Sequence, residues 1–456
     1  MLRLVSVYII MVVIIIIIIL LLLFNKSIMW YQYITYVYNI TYFNYSFLIG
    51  IDILSIVLLI LSSFLLMNCL LISRNIKYKI NIYIYLLLYL YFLLLNLFIV
   101  LDIYIFFILF ESLILPVFLL IGVWGSRSRK VYAAYQFFLY TILGSLFILI
   151  CILDIYMSKG SMSFEMMYFY NFFDNRNLIF WICLFLGFSV KIPIFPFHVW
   201  LPEAHVEASS TGSVVLAGIL LKLGVYGIYR IILGTFSNIY VDILFLILVL
   251  SFLGLTYSAL VALNQIDIKK MVAYSSISHM NFSLLGVFSC TMEGLLGCFV
   301  MMIGHALTSS GLFLSIGILY ERYKTRIIFY YGGLANLMPV FSIIMFIFVI
   351  SNFSFPGTLN FVGEFFILGG GLISYKLVMI LSSLSLLLSL IYSLFLYNRI
   401  FYGIIPNYFR YYSDCTRLEY KVLMLFVFFV VLLGLYPCYI LDFGVMFFNK
   451  IYFFII

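Results

Sequence analysis

Apolar residues run along this chain in blocks of roughly twenty, parted by short polar stretches. At 1.5 Å per residue such blocks match the ~30 Å of hydrocarbon in a bilayer. In order they predict thirteen spans, at residues 4–24, 48–73, 80–101, 102–124, 131–157, 178–206, 209–233, 240–263, 271–290, 294–319, 336–373, 376–403 and 420–448. Residues 25–47, rich in tyrosine and carrying Trp30, read as an interfacial loop with short strands. Two spans are predicted to be broken. The sixth contains Pro193 and Pro196, each of which removes a backbone donor and clashes with the preceding turn. The eleventh is interrupted around Asn352, Pro356 and Gly357. Spans three to seven and eight to twelve are each five helices with the fourth one broken, and an odd number per set inverts the second set relative to the first. Interrupted inverted repeats build transport paths near a bilayer midplane.

The pattern therefore predicts an all-α polytopic membrane protein with about thirteen transmembrane helices and two inverted five-helix repeats, each holding one broken helix. The segments are 1–79 (first helices and aromatic loop), 80–233 (first repeat), 240–403 (second repeat) and 404–456 (last loop and helix). Composition agrees. The chain is 67% hydrophobic and 9% charged with a mean hydropathy of +1.26, values foreign to soluble domains. The first block has no small-residue cleavage site after it and reads as a retained span.

Charge adds an orientation. The net +8 sits in short loops: Arg74, Lys77 and Lys79; Arg127, Arg129 and Lys130; Lys269 and Lys270; Arg322, Lys324 and Arg326; Arg410, Arg417 and Lys421. The alternate loops hold only Lys26, Lys159, Arg176 and Lys376. Basic loops face inward, so the N-terminus is expected inside and the C-terminus outside. Charge gathered this way serves topology and predicts no nucleic-acid partner. The seven cysteines form no C-x-x-C pair, and no G-x-G-x-x-G follows a strand, so neither a metal or iron–sulfur site nor a nucleotide fold is expected.

Six ionisable residues fall well inside the spans: Glu111, Lys191, Lys222, His279, His305 and Glu364. Each costs about 2.5–3.5 kcal/mol on insertion scales, so a purely structural bundle has no reason to keep six. Spread over six helices and accompanied by two breaks, they point to a proton path, with Glu111 and Lys191 expected to act as a pair. His198, His205 and Glu207 stand beside the first break as accessory candidates. Lys269 and Lys270 read as topogenic charge, and Asp52, Asp102, Asp242 and Arg399 as caps or snorkelling side chains.

The blocks FESLILP, VKIPIFPFHVWLPEAHVEA, LLKLGVYG, AYSSISHM, GHALTSS and NFVGEFF resemble the chain 4 family of NADH–ubiquinone oxidoreductase, the antiporter-like membrane subunits of respiratory complex I, over residues 48–403. The resemblance implies proton translocation along a hydrated midplane chain of charges, coupled to quinone reduction elsewhere in the complex. Glu111 matches the family's glutamate, Lys191 the lysine of the first broken helix and Lys222 the central lysine. His279 and His305 match the relay histidines. Glu364 matches the terminal acidic residue, where sister subunits carry lysine. Also implied are NADH, FMN, iron–sulfur clusters and ubiquinone in partner subunits, with no cofactor in this chain. Implied partners are the other membrane-arm subunits, above all sister chains 2 and 5, and phospholipids. The implied location is the mitochondrial inner membrane, with the bacterial plasma membrane as the alternative. The family usually has fourteen spans and only one helix precedes the aromatic loop here, so the resemblance implies that one early helix is missing. The alternative function is a subunit of a related multi-subunit cation/proton antiporter.

Overall fold

The computed structural model describes residues 2–25, 31–40, 45–160, 162–164, 167, 175–235, 241–406 and 413–455. Lys26, Trp30 and Arg410 lie outside them. The chain folds as one helical bundle. Helix α1 (Leu2–Leu23) is followed by an antiparallel hairpin of β1 (Gln32–Ile40) and β2 (Tyr45–Ile51), in the segment expected to hold short strands. Then come α2 (Ile53–Ile72), α3 (Ile80–Ile99), α4 (Ile103–Ser112), α5 (Ile114–Trp124) and α6 (Lys130–Lys159). The predicted sixth span is α7 (Asn175–Lys191) and α8 (Trp200–Glu207), interrupted over 192–199 with a cis Phe195–Pro196 bond inside the gap.

The second half holds α9 (Ser210–Ile232), α10 (Val241–Leu263), α11 (Ile268–Phe288) and α12 (Met292–Tyr323). The predicted eleventh span is α13 (Pro339–Asn352) and α14 (Leu359–Ser374), parted at 353–358, and α15 (Lys376–Phe401) follows. One expectation is corrected here. The predicted last span, 420–448, is two helices, α16 (Arg417–Leu435) and α17 (Cys438–Ile455), because Pro437 cannot continue the hydrogen-bond ladder between them.

The basic loops gather at one end of the bundle. Arg3 donates to the Ile76 carbonyl and the Trp124 indole to Tyr78. Arg127 pairs with Asp267 at 3.5 Å, Arg326 reaches Ser126, and Arg322 reaches Glu419 at 2.7 Å. The opposite end is stitched by short strand pairings, with Ile49 bridging Val100 and Asp102 bridging Ser163. Helix α3 thus starts at the basic end and α10 at the other, so the two sets of five run in opposite senses.

Helices α9 and α12 form the enclosed axis, while α1 is mostly exposed along its length. Close approach at the first break depends on Gly224, where a Cβ would fall 2.3 Å from Ile192 Cγ1. Buried hydroxyls on α12 and α11 return their hydrogens to carbonyls one turn back, as Ser309 does to His305 and Ser275 to Val272. This satisfies polar groups that no water reaches inside hydrocarbon.

Candidate functional site

Lys222 stands at the centre. It is 1% exposed and lies just past a widened π-helical turn, Leu216–Leu220, on α9. Such turns inside α-helices recur at functional sites. Its ammonium donates to the Ala217 carbonyl at 2.5 Å and lies 2.8 Å from His305 Nδ1 on α12. The His305 ring centre is 5.7 Å from that of His279 on α11. His279 Nδ1 is in turn 3.3 Å from Glu364 Oε1 on α14, an ion pair by distance when the imidazole is protonated. Four of the six predicted residues therefore stand in one row across α9, α12, α11 and α14, in contact at both ends and with the two imidazoles 5.7 Å apart in the middle. All four are buried.

Glu111 and Lys191 extend the line with a different geometry. Among the described residues they make no ion pair within 4.0 Å, contrary to the expected close pair. The ammonium of Lys191 instead sits 4.4 Å over the face of Phe110, the neighbour of Glu111 in α4. A ring face offers a cation electrostatic attraction without accepting its proton. The carboxylate and the ammonium still act on each other through space. Glu111 Oε1 is otherwise buried without a hydrogen-bond partner. Beside Lys191 is a cavity of about 10 Å³, lined by Phe110, Trp200 and by Leu220 and Leu223 of the helix that carries Lys222. That is room for about one water.

The accessory candidates lie on α8 or just before it. The His205 ring lies flat on Phe313 at 4.6 Å between centres, with both nitrogens unpartnered, and Lys222 and Lys269 are the charges that act on it. His198 stacks on Phe195 and meets Tyr257 edge-on at 5.4 Å. Glu207 accepts a backbone bond from Ser126 and lines a cleft of about 210 Å³ at the basic end with Arg127, Glu203, Asp267 and Lys270.

Three buried cations escaped the sequence reading. Lys269, expected as topogenic surface charge, is 2% exposed and donates to the Ala208 carbonyl at 2.9 Å. Its neighbour Lys270 does reach the surface and pairs with Glu203 at 2.9 Å. Arg326 is 1% exposed, donates to the Val206 carbonyl and Ser126, and lies over the Tyr320 ring. Arg230, near the end of α9, forms a buried ion pair with Asp52, which also caps α2 through Ser55, and donates to the Tyr31 hydroxyl at 3.0 Å. The available signal for Arg230 was its place eight residues past Lys222 in an otherwise apolar segment. Among the described residues no group of three or more His, Cys, Asp or Glu could hold a metal ion.

Residues 100–391 match the family model described as NADH:quinone oxidoreductase/Mrp antiporter, TM. The "NADH-ubiquinone oxidoreductase chain 4" of Acanthamoeba castellanii is 44% identical over 402 residues, covering 88% of this chain and 81% of that protein. The chain belongs to the NADH-ubiquinone oxidoreductase chain 4 family. Its member from Marchantia polymorpha is 42% identical over 409 residues, covering 89% of this chain and 83% of its own. A chain of respiratory complex I from Thermus thermophilus with bound NADH superposes with a TM-score of 0.86 at 27% identity, covering 93% of this chain and 89% of that one. A chain of the Mrp complex from Dietzia sp. DQ12-45-1b shares the fold, with a TM-score of 0.80 at 19% identity, covering 92% and 87%. Membership of the chain 4 family makes this a multi-pass membrane subunit, and the matched region contains all six buried ionisable residues.

Proposed function

We propose that this chain is the proton-translocating chain 4 subunit of the membrane arm of NADH:ubiquinone oxidoreductase. The observation that carries the reading is the row from Lys222 through His305 and His279 to Glu364, with hydrogen-bond or ion-pair distances of 2.8 and 3.3 Å at its ends and 5.7 Å between the two imidazole centres. The geometry suits stepwise proton movement. Lys222 and His305 share one proton between two nitrogens, each able to hold it. His279 passes it between His305 and Glu364 when its ring turns, since the unpartnered His279 Nε2 is free to exchange. Lys191 and Glu111 form the other arm, in which the Phe110 face holds the ammonium beside the small cavity. A change in the charge of Glu111 alters how firmly Lys191 keeps its proton, and the space at the first break gives that proton a way toward α9.

The same reading divides the chain into 1–79, 80–233, 240–403 and 404–456, supported by the matching breaks in α7/α8 and α13/α14. Electrons pass through partner subunits that hold NADH, FMN, iron–sulfur clusters and ubiquinone, and no redox centre belongs to this chain. Its neighbours are sister chains 2 and 5 and membrane phospholipids. The basic end faces the matrix of a mitochondrion, with the N-terminus on that side. Support for this comes from the gathering of Arg74, Arg127, Arg322 and Arg326 at one end and from the eukaryotic sources of the related chains. The test is purification of the native assembly. Co-migration with flavin and iron–sulfur subunits is the expected result, and migration as a complex lacking them would overturn it in favour of a cation/proton antiporter.

A further inference from the structure

Four helix ends meet at the basic end of the bundle around a cavity of about 450 Å³. Arg74, just past the end of α2, and Arg417, the first residue of α16, line it from one pair of helices. Ser210 at the start of α9 and Leu314, Ile318 and Glu321 near the end of α12 line it from the other pair. A volume of this size suits a small ligand or the head of a larger one. The residues of α12 stand three and four apart and so share one face of that helix. Glu321 is near the helix end, and Leu314 is seven residues further in, which at 1.5 Å per residue is ~10 Å deeper. The mouth is therefore charged and the floor apolar, with Leu314 and Ile318 both buried.

Two cations at this mouth are left over. Among the described residues neither Arg74 nor Arg417 makes an ion pair within 4.0 Å. The neighbouring charges are already engaged. Arg322 takes the Glu419 carboxylate at 2.7 Å and the Asp414 carbonyl at 3.1 Å, and Glu419 also accepts from the Thr416 backbone at 2.8 Å. A guanidinium is a planar fork of donors that matches the oxygens of a phosphate. Basic pockets between spans at the inner surface suit anionic lipid heads. The apolar floor separates a lipid from a free phosphate, because only a molecule with a charged head and a hydrocarbon tail uses both parts of the cavity.

We propose that this cavity binds one anionic phospholipid, its phosphate between Arg74 and Arg417 and its first acyl carbons against Ile318 and Leu314. The site rests on the reading that places the basic end at a bilayer surface, and it gives the phospholipid contact of that reading a definite address. A lipid held there joins the end of α2 to the start of α16 across α12, the helix that carries His305.

The experiment uses the intact complex in phosphatidylcholine vesicles carrying a minor share of phosphatidylglycerol with a photoactivatable diazirine at the start of one acyl chain. Adducts are mapped by peptide mass spectrometry after illumination. The expected result is labelling concentrated on residues 314–318 and 416–419, and several-fold weaker there when the diazirine is carried by phosphatidylcholine instead. Arg74→Gln and Arg417→Gln are each expected to lower the adduct about fivefold, and the two together about 25-fold. Lys324→Gln, at the same end but outside the cavity, is expected to leave it at wild type. Labelling spread evenly over the spans, equal labelling by the two lipids, or an unchanged adduct in the double variant overturns the proposal. Loss of the adduct on adding inorganic phosphate assigns the cavity to a soluble anion and overturns the lipid. The wild-type map needs no variant, so it decides the matter even where the double variant fails to assemble. Flavin and iron–sulfur content is read on the same sample, and a concentrated adduct in an assembly lacking them supports the site while counting against the proposed function alone.

Discussion

The contact between Lys222 and His305 makes the sharpest quantitative test. With 2.8 Å between their nitrogens and a carbonyl at 2.5 Å on the other side, the ammonium has two partners and no carboxylate ion pair among the described residues. Replacing His305 with phenylalanine keeps a ring of similar size but removes one of the two. Hydrogen bonds to charged groups contribute about 1.5–3 kcal/mol. Each 1.36 kcal/mol is tenfold in rate, so the proton-transfer step is expected to slow by about 10- to 150-fold. The assay is proton uptake per NADH oxidised in vesicles containing the assembled complex, read beside uncoupled oxidation to separate pumping from assembly. Lys222→Met and the double variant complete the cycle. Because the two nitrogens share one proton, the double variant should be little worse than either single one. Losses that multiply, or normal pumping in His305→Phe, would show that the contact seen between α9 and α12 is structural and that protons bypass it.

Three further outcomes follow from particular contacts. Asp52→Asn leaves Arg230 buried without its carboxylate, which is expected to cost about 3–5 kcal/mol and to lower the content of assembled complex on native gels. The pair Asp52→Leu with Arg230→Leu should recover much of that loss, and no recovery would mean Arg230 does more than balance Asp52. Phe110→Leu removes the ring beneath the Lys191 ammonium, a contribution of about 0.5–2 kcal/mol, and should reduce pumping by about 2- to 30-fold with assembly intact. Unchanged pumping there would mean the cation–π contact does not tune Lys191. A reporter at the N-terminus and one inserted at 127–130 should label from the same side of the membrane, since Arg3 and Trp124 both bond to the loop at 76–78. Labelling from opposite sides would refute the shared basic end.

Much of this protein was legible in its sequence because a bilayer imposes local rules. Spans must be long, apolar and hydrogen-bonded within themselves, so the blocks at 48–73 and 376–403 declare their helices without reference to anything else. Prolines 193 and 196 mark the first break for the same reason, and the expense of charge in hydrocarbon singles out Glu111, Lys191, Lys222, His279, His305 and Glu364 one by one. Which of these touch is another matter. Lys222 and His305 are 83 residues apart, and their 2.8 Å contact depends on how α9 packs against α12. Glu111 and Lys191 looked like a pair by charge alone, yet a phenylalanine face holds the ammonium because the helix rotation presents Phe110 to it.

Lys269, Arg326 and Arg230 were missed for one common reason. Position at a helix end gives no sign of whether a cation reaches water or a carbonyl of another helix. In Lys269 and Arg326 the partner is a carbonyl at the C-terminal end of α8, which exists only because the preceding helix is broken. The last span misled in the opposite direction. Its apolar run continues through Pro437, the proline that divides α16 from α17, and the packing of Phe447 and Phe448 against Tyr229 seats α17 beyond it. The sequence by itself determined where most of the helices are and that the six ionisable residues inside the spans are buried, because both follow from the local cost of polar groups in hydrocarbon. The tertiary structure alone decided which of those six come within reach of one another, because hydrogen-bond distances of ~3 Å are set by packing between elements far apart in the chain.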